Sequence, residues 1–366
     1  MKILHIIDGY HVGGIETQAY EIIKNYPTGC KSYLINTNSK IKFTEDRFIE
    51  LKINNKIQEI KNLNFRYSIF IILEIFLFAK KNNIKNIIIY PSHKKMLFVA
   101  LGAKLAGIKN IFVSLQNTLF GKKISTIYKT KIIFYLFNIL GVFFVPATKA
   151  IFNSYSKYNI KLNKFKVIYN SCDFNSINFL STKYKTNFSK DIKNIVMISR
   201  LDSIKDQETL LKAFSKIKEP FWRLKIVGDG PKMKSLKKLA RSLSLNEKEI
   251  FCGVSNNIPL ILGEAEIFAF STTEAEGFGK VLIEAIAAKV PIIASDVSAC
   301  RETLFDGKGG ILVPPKNIDE WTKVLRNLIK SKNKRRKIAE QAFLLKDFFD
   351  SKKIAYNWHQ LITKEL

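Results

Sequence analysis

The chain has 366 residues, 47% of them hydrophobic, and its 60 basic and 31 acidic side chains give a formal net charge of +29. This length and apolar content exclude a disordered chain or a small disulfide-stapled one, and they predict two domains with sizeable cores. Four scattered cysteines without a Cys-x-x-Cys pair argue against structural zinc and favour a reducing compartment.

The first half of the chain alternates apolar strands with segments of helical spacing. "KILHIID" predicts a strand that leads to the glycine pair Gly13 and Gly14, and "GGIETQAYEIIKNY" predicts the helix that follows. "KNIIIYP" and "IKNIFVSL" predict further strands, each with a helix after it. The uncharged run from Ile132 to Thr148 is slightly too short to span a membrane, so it predicts a helix and then a short buried strand, "GVFFVP".

A second series of strands follows a polar stretch, with a linker predicted near residues 170 to 190. Its strands are "NIVMISR", "RLKIVGDG", "EIFCG", "EIFAFST" and "PIIASD", with helices between them. Strand–helix alternation predicts an α/β fold of two Rossmann-like doubly wound domains, which would face each other across a cleft. The predicted bounds are 1–170 for the N-terminal domain, 171–345 for the C-terminal domain, and 346–366 for a helix packing back toward the first.

The positive charge is concentrated in one block. Between Glu74 and Asp173 there are sixteen lysines and no carboxylate. A block of this kind predicts an anionic partner, although lysines on a merely solvated surface remain an alternative. Aromatic and aliphatic residues are interleaved with the lysines in "KKISTIYKTKIIFYLFNILGVFFVP" and no nucleic-acid motif is visible, which favours an anionic membrane surface over nucleic acid.

The N-terminus "MKILHIIDGYHVGG" lacks the features of a signal peptide, so the chain is expected in the cytoplasm, peripheral on the inner face of the membrane. Lysine-dependent binding to such a surface should weaken as salt rises.

Three short motifs carry the candidate chemistry. Gly13 and Gly14 lie where a strand gives way to a helix, so their N–H groups could approach a phosphate, or they could simply form the turn. Arg200 and Lys205 follow a strand, and two fixed cations there suit a diphosphate. In "EAEGFGKVLIEA", Glu276 precedes a predicted helix and Glu284 lies about one turn inside it. No Gly-x-Gly-x-x-Gly or P-loop is present, which argues against a nicotinamide oxidoreductase and a P-loop protein.

Taken in order, "RLDSIK", "IVGDGP", "EGFGKVLIEA" and "GGILVPP" resemble the family 4 retaining glycosyltransferases, which have the two-domain GT-B fold. The resemblance covers nearly the whole chain. It implies that Glu276 bonds the hydroxyls of the donor sugar, that Glu284 accepts from the ribose, and that Arg200 and Lys205 hold the diphosphate. The other donor-binding positions that it implies are Gly13, Gly14, Gly277, Phe278, Gly279 and Gln116.

One position departs from the family pattern. Many members have a His where this chain has Gln116, and an amide can bond a sugar hydroxyl but cannot act as an acid or base. Acceptor contacts are expected, with less support, at Glu16, His11 and His93. Capping of the first helix is an equal alternative for Glu16, and a plain polar loop residue is the favoured alternative for His93.

The resemblance implies a hexosyltransferase that uses a UDP- or GDP-sugar, with retention and without a cofactor or a metal ion, since Asp-x-Asp is absent. The expected acceptor is a lipid-linked saccharide in bacterial surface polysaccharide synthesis, such as O-antigen, capsule or lipopolysaccharide. The alternatives are a binding protein of this fold with impaired catalysis and a basic nucleic-acid-binding protein.

Overall fold

The computed structural model describes residues 1–11, 13–63, 69–90, 95–185, 192–217 and 219–364. These residues form two compact units. The N-terminal unit comprises residues 1–171 together with 351–366, and the C-terminal unit comprises residues 172–350.

The N-terminal unit is built on a parallel sheet of six described strands, which run in the order β3-β2-β1-β4-β5-β6. Buried, largely apolar runs form most of these strands, as expected for a parallel sheet covered on both faces, whereas the edge strand β3 is polar and mostly half-buried or exposed. The strands are β1 (Lys2–Ile7), β2 (Lys31–Asn36), β3 (Ile57–Asn62), β4 (Asn86–Ile89), β5 (Asn110–Leu115) and β6 (Phe143–Pro146). The helices are α1 (Gly14–Lys24), α2 (Glu45–Ile53), α3 (Ile69–Asn82), α4 (Lys95–Leu105), α5 (Ile124–Ile139), α6 (Lys149–Lys157) and, at the end of the chain, α17 (Ser351–Thr363).

The C-terminal unit repeats this design with strand order β12-β11-β10-β7-β8-β9 in its described residues. The strands are β7 (Lys193–Ile198), β8 (Trp222–Val227), β9 (Phe251–Gly253), β10 (Ala265–Phe270), β11 (Ile292–Ser295) and β12 (Ile311–Val313). The helices are α7 (Phe174–Lys185), α8 (Gln207–Ser215), α9 (Met233–Ser242), α10 (Glu247–Ile250), α11 (Ile258–Gly263), α12 (Lys280–Ala287), α13 (Ser298–Thr303), α14 (Ile318–Lys330), α15 (Lys332–Phe343) and α16 (Lys346–Phe349).

In each sheet all described strands are parallel, but the order in which the chain adds them reverses between the first and the fourth strand. In the C-terminal unit β7 pairs with β8 on one side and with β10 on the other, and in the N-terminal unit β1 lies between β2 and β4 in the same way. The loops that leave the carboxyl ends of such strand pairs diverge and open a crevice, where sheets of this kind bind ligands. The predicted fold class of two Rossmann-like doubly wound domains is confirmed.

The units divide close to the predicted bounds, with two differences. Part of the predicted linker at 170–190 is a helix, α7, which packs against α11 in the C-terminal unit. The C-terminal unit also continues to residue 350 rather than 345, because α16 packs on it through the ring of Phe349, which lies 5.9 Å from the ring of Phe278. Helix α17 belongs to the N-terminal unit, where Trp358 is part of the core around β1.

Two further features of the described chain bear on the predictions. The segment "EIFCG", predicted as a strand, begins with the helical turn α10, whose N-cap residue Asn246 accepts a hydrogen bond from the N–H of Lys248, so the strand starts only at Phe251. Among the helices of the described ranges, none has both the length and the apolar character needed to cross a membrane.

The two glycines of "IVGDGP" allow the loop after β8 to press on the loop after β7. Both have positive φ, and a Cβ added at Gly228 would lie 1.9 Å from the carbonyl oxygen of Ser199. At Gly230 a Cβ would lie 2.4 Å from the carbonyl oxygen of Leu201. The N–H of Leu201 donates to the carbonyl of Asp229 at 2.9 Å, so the two loops are also hydrogen-bonded. The glycines therefore position the segment that carries Arg200.

We expect Gly228→Ala to destabilise the C-terminal unit by at least about 2 kcal/mol, since the methyl group has no space and the backbone conformation disfavours it. Gly253→Ala is the matched control, because Gly253 also has positive φ (+71°) but nothing lies within 4 Å of its added Cβ. The control should cost only about 1 kcal/mol. Calorimetric unfolding of both variants measures the difference, and equal losses would show that close packing at Gly228 is unimportant.

Candidate functional site

The candidate site of the C-terminal unit is formed by the loops that follow β7 and β10, on either side of the sheet reversal. The two loops are hydrogen-bonded to each other. The N–H of Asp206 donates to the carbonyl of Ser271 at 3.1 Å, and the N–H of Thr273 donates to the carbonyl of Ile204 at 3.0 Å. The Ser271 hydroxyl also donates to the carbonyl of Asp206 at 2.6 Å. These bonds hold the side chains between them, Lys205 and Glu276, at fixed positions.

Lys205 and Glu276, 71 positions apart in the chain, form an ion pair at the junction of these loops. Their side chains are only 15% and 10% exposed, respectively. The Thr272 hydroxyl donates to the same carboxylate oxygen at 3.2 Å, and the N–H of Gly277 donates to the other oxygen at 3.2 Å. The Lys205 ammonium also lies 4.5 Å from the centre of the Phe270 ring, which covers one side of it.

Burial by itself would raise the pKa of Glu276. The adjacent Lys205 ammonium and the hydrogen bonds from Thr272 and Gly277 outweigh that effect and lower the pKa below its usual value. Glu276 is therefore a carboxylate at neutral pH. A carboxylate held this way can accept hydrogen bonds from the hydroxyls of a sugar, and an ammonium beside it can donate to phosphate oxygens.

Arg200 is placed differently from Lys205. Its guanidinium forms an ion pair with Asp202, and its side chain is 77% exposed. Asp202 is buried, and although burial raises its pKa, hydrogen bonds from Arg200 and from the N–H of Ile204 lower it overall. Arg200 is thus exposed and paired with the buried Asp202, in the same loop as Lys205.

The Gly-Phe-Gly turn leads from Glu276 into α12. Gly279, the N-cap residue of α12, has a left-handed backbone with φ +72°. Phe278 is buried, and its carbonyl oxygen accepts from the Thr303 hydroxyl at 2.8 Å, so its side chain belongs to the core of the unit. Glu284 is half-buried in the second turn of α12. Since the N–H groups of a helix N-terminus favour anions, this turn adds to the positive character near Lys205.

Sequence reasoning missed Thr272 and Asp202, which hold the two predicted charged residues in place. Thr272 lies just past β10 and Asp202 lies two residues after Arg200. Their positions immediately after predicted strands were the available signal. Glu274, the first acid of "EAEGFGKVLIEA", accepts from the N–H of Ser298 at 3.2 Å, where α13 begins.

In the N-terminal unit, the predicted residues His11, Gly13, Gly14 and Glu16 follow the carboxyl end of β1. Gly13 is the N-cap residue of α1 and has an extended backbone, so its φ does not require glycine, but a Cβ there would lie 3.2 Å from a Glu16 carboxylate oxygen. Gly14 begins the helix and is exposed. His11 is exposed, and His93 lies outside the described residues.

Glu16 is buried in the first turn of α1, and burial raises its pKa to about 7, with a further contribution from the Asp8 carboxylate. Asp8 forms an ion pair with Lys95 at 3.3 Å and accepts a hydrogen bond from the Thr37 hydroxyl at 2.6 Å. An acid with a pKa near neutrality can take up or release a proton at physiological pH.

Gln116 follows β5 and is half-buried. Its amide N–H donates to the Ser114 hydroxyl at 2.8 Å, and its amide oxygen accepts from the Asn170 side chain at 2.8 Å. These bonds fix the amide between β5 and the end of the N-terminal unit's first segment. In the residues that the structure describes, no group of three or more His, Cys, Asp or Glu side chains could hold a metal ion.

Because the folded-state pKa of Glu16 is raised, its protonation stabilises the folded N-terminal unit. That stabilisation is complete below the ordinary value of 4.5 and is lost as pH rises through about 7. We expect Glu16→Gln, which removes the buried charge, to raise the unfolding temperature of this unit by about 3 °C at pH 8 and by less at pH 5. Calorimetry at both pH values measures this, with the exposed Glu50→Gln as control. An equal gain at both values would contradict the assignment.

Three comparisons place the chain among known proteins. The model of the family Glycosyl transferases group 1 matches residues 180–344. Among curated proteins, the chain is 29% identical over 199 residues to N-acetylgalactosamine-N,N'-diacetylbacillosaminyl-diphospho-undecaprenol 4-alpha-N-acetylgalactosaminyltransferase of Campylobacter jejuni, which covers 54% of this chain and 53% of that protein. It is 31% identical over 145 residues to GDP-mannose-dependent alpha-(1-6)-phosphatidylinositol monomannoside mannosyltransferase of Mycolicibacterium smegmatis, covering 37% and 38%. The chain thus spans about half or less of the length of the curated relatives it matches.

Solved structures resemble the whole chain. HepE of Anabaena, solved in complex with UDP and glucose, has a TM-score of 0.83 at 20% identity, with all of both chains covered. WaaG, a glycosyltransferase involved in lipopolysaccharide biosynthesis, has a TM-score of 0.67 at 13% identity, also with all of both chains covered. At these identities the likeness shows the GT-B fold. The resemblance found in the sequence is thereby confirmed at the level of the group, since residues 180–344 of this chain, which carry the Lys205–Glu276 pair, match the model of the group 1 glycosyltransferases.

Proposed function

We propose that the protein is a retaining glycosyltransferase of family 4 that transfers a hexose from a nucleoside diphosphate sugar to a lipid-linked saccharide. The observation that carries this proposal is the buried ion pair of Lys205 and Glu276, at the sheet reversal of a group 1 glycosyltransferase domain. It supplies an ionised acceptor for sugar hydroxyls and a cation for a diphosphate within one rigid loop junction.

The chemistry needs charge stabilisation at the leaving group. As the bond between the anomeric carbon and the phosphate oxygen breaks, the sugar becomes oxocarbenium-like and negative charge grows on the diphosphate. The Lys205 ammonium, in the loop after β7, would stabilise that negative charge. The exposed Arg200 guanidinium can donate to two phosphate oxygens at once. We propose same-face attack by the acceptor hydroxyl, whose proton passes to the departing phosphate oxygen.

Glu276 would position the sugar rather than attack it. Its lowered pKa keeps it ionised, and its hydrogen bonds from Thr272 and Gly277 fix both oxygens. A vicinal diol can bridge two carboxylate oxygens, so a sugar with free ring hydroxyls fits this group. Glu284, in the second turn of α12, would accept hydrogen bonds from the ribose hydroxyls. The backbone of Gly277, Phe278 and Gly279 would line the donor.

The donor nucleotide is proposed as UDP or GDP. HepE was solved with UDP, and the Mycolicibacterium relative is named as dependent on GDP-mannose, so likeness supports either base. The Campylobacter relative is named for a diphospho-undecaprenol acceptor, which supports a lipid-linked acceptor here. We propose that surface polysaccharide synthesis on the cytoplasmic side of the membrane is the setting, and that the lysine-rich N-terminal unit holds the enzyme there.

The proposal predicts that isothermal calorimetry detects binding of either UDP-glucose or GDP-mannose to the wild-type chain. Glu276→Gln should keep the fold and reduce sugar transfer by at least about 100-fold, because a neutral amide accepts less strongly and loses its pairing with Lys205. Glu274→Gln is the matched control, since Glu274 is exposed two residues away and should leave transfer near wild type.

Two results would count against this function. Wild-type transfer activity in Glu276→Gln would contradict the assignment of Glu276 to the donor site. Donor binding without transfer to any lipid-linked saccharide would favour a binding protein of this fold, for which the fixed amide of Gln116 in place of the family's usual His is the supporting observation.

We also expect transfer to be independent of a metal ion, because the two cations Arg200 and Lys205 would neutralise the diphosphate. Activity measured with excess EDTA should equal activity with added Mg²⁺ within about twofold, whereas a metal-dependent diphosphate site would lose most of its activity. The anomeric configuration of the product, read by NMR in the same assay, tests retention. An inverted product would contradict the family 4 mechanism.

A further inference from the structure

Helix α5 has apolar residues on two opposite faces. The inner face packs on the core through Phe134 and Phe137, both fully buried. The outer face carries Ile124, Tyr128, Ile132, Tyr135 and Ile139, which are 62% to 72% exposed. We call these five residues the α5 stripe.

The spacing of the α5 stripe places it on one narrow surface. Its members are separated by four, four, three and four residues, which at about 100° per residue confines them to an arc of about 80°. Lys131 and Lys129 lie on either side of that arc by the same geometry, and both are exposed. The stripe is therefore an apolar ridge bordered by ammonium groups, on a helix whose other face is fixed to the protein.

Helix α3 has the same design. Ile69, Phe70, Leu73 and Leu77 are 51% to 65% exposed, while Ile71 and Ile75 on its other side are fully buried. Helix α3 packs against α4, and α4 packs against α5, so the three helices form one layer of the N-terminal unit. At the C-terminal end of α4, Leu105 is also 59% exposed. An apolar surface of this extent is typical of an interaction site.

Charge identifies the occupant of this surface. The sequence from 75 to 172 holds sixteen lysines and no carboxylate, and the one acid on the three helices, Glu74, is paired with Lys61. A second copy of the chain docked symmetrically here would bring lysines against lysines with no acid to neutralise them. An anionic bilayer complements both properties at once, since its headgroups pair with the lysines and its acyl boundary accepts the apolar ridge.

We propose that the α3–α4–α5 layer is a membrane-docking surface, in which the α5 stripe inserts into the headgroup and acyl boundary of an anionic bilayer while Lys129 and Lys131 contact the headgroups. The inference deepens the proposed function, on which it rests for its biological reason, because a lipid-linked acceptor lies at such a boundary. It adds an apolar component to the binding that net charge alone predicts. Binding should therefore fall with salt but not disappear.

The test compares three proteins by flotation with vesicles of phosphatidylglycerol and phosphatidylcholine. The first is wild type, and the second is Ile124→Gln/Ile132→Gln/Ile139→Gln, since Gln keeps helix propensity while removing the ridge. The third is a control with the same number of exposed apolar residues replaced in the C-terminal unit, Phe221→Gln/Val254→Gln/Leu344→Gln. Circular dichroism melting confirms that each is folded.

We expect the α5 variant to lose vesicle binding by at least about tenfold at both low and high salt, and the control variant to match wild type. Lys129→Gln/Lys131→Gln should remove only binding that salt also removes. Wild-type vesicle binding by the α5 variant would overturn the proposal. So would a change from dimer to monomer in sedimentation with vesicle binding intact, which would assign the surface to a second copy.

Calorimetric donor binding separates this inference from the proposed function. The α5 variant should bind the donor nucleotide sugar as wild type does, because the Lys205–Glu276 pair lies in the other unit. Loss of vesicle binding with donor binding retained supports the docking surface. Absence of donor binding in every protein, with vesicle binding by wild type intact, would count against the glycosyltransferase proposal alone.

Discussion

The ion pair of Lys205 and Glu276 is the interaction on which the C-terminal site depends. Removing two charges from water costs several kcal/mol, which their attraction offsets only if they stay in contact and their remaining hydrogen-bonding capacity is used. Thr272 and the N–H of Gly277 satisfy the carboxylate, and the Phe270 ring covers the ammonium. Such a pair requires rigid loops, and the hydrogen bonds from Asp206 to Ser271 and from Thr273 to Ile204 provide that rigidity. A site held this way needs little reorganisation when charge develops on a bound substrate.

The glycines of "IVGDGP" and "EGFGKVLIEA" also help to hold the site loops in fixed positions. Gly228 and Gly230 let one loop approach the backbone of Ser199 and Leu201 more closely than any side chain would permit. Gly279 adopts the left-handed conformation that turns the chain from Glu276 into α12. The glycines of these motifs thus allow close backbone packing, and that packing positions the charged residues Arg200 and Glu276.

The N-terminal unit has a buried acidic site and an exposed apolar surface in different places. At the carboxyl end of β1, a buried acid with a raised pKa, Glu16, lies near the ion pair of Asp8 and Lys95. On its α3–α4–α5 layer, exposed aliphatic and aromatic side chains lie on the same helices as exposed lysines. A folded unit rarely leaves so much apolar surface uncovered, since exposed apolar side chains forgo the free energy that burial provides. The proposed docking of this layer on an anionic bilayer would cover that apolar surface and pair its lysines.

The sequence by itself determined the α/β class, the two doubly wound domains, most strands after "NIVMISR" and the resemblance of the C-terminal half to the group 1 glycosyltransferases. These features follow from periodicity and from ordered motifs, which are local properties of a chain. The sequence also named Lys205 and Glu276, but not that they are paired, since residues 71 positions apart meet only through the parallel pairing of β7 with β10. Tertiary structure likewise decided that Arg200 is exposed on Asp202, that the Phe278 side chain is core, and that "EIFCG" begins with a helical turn. The same limit applies to α5, whose apolar residues look alike in sequence: only packing decides that Phe134 and Phe137 face the core while Ile132 and Ile139 face outward. Burial depends on which surfaces meet, and that is a property of the whole fold rather than of any segment.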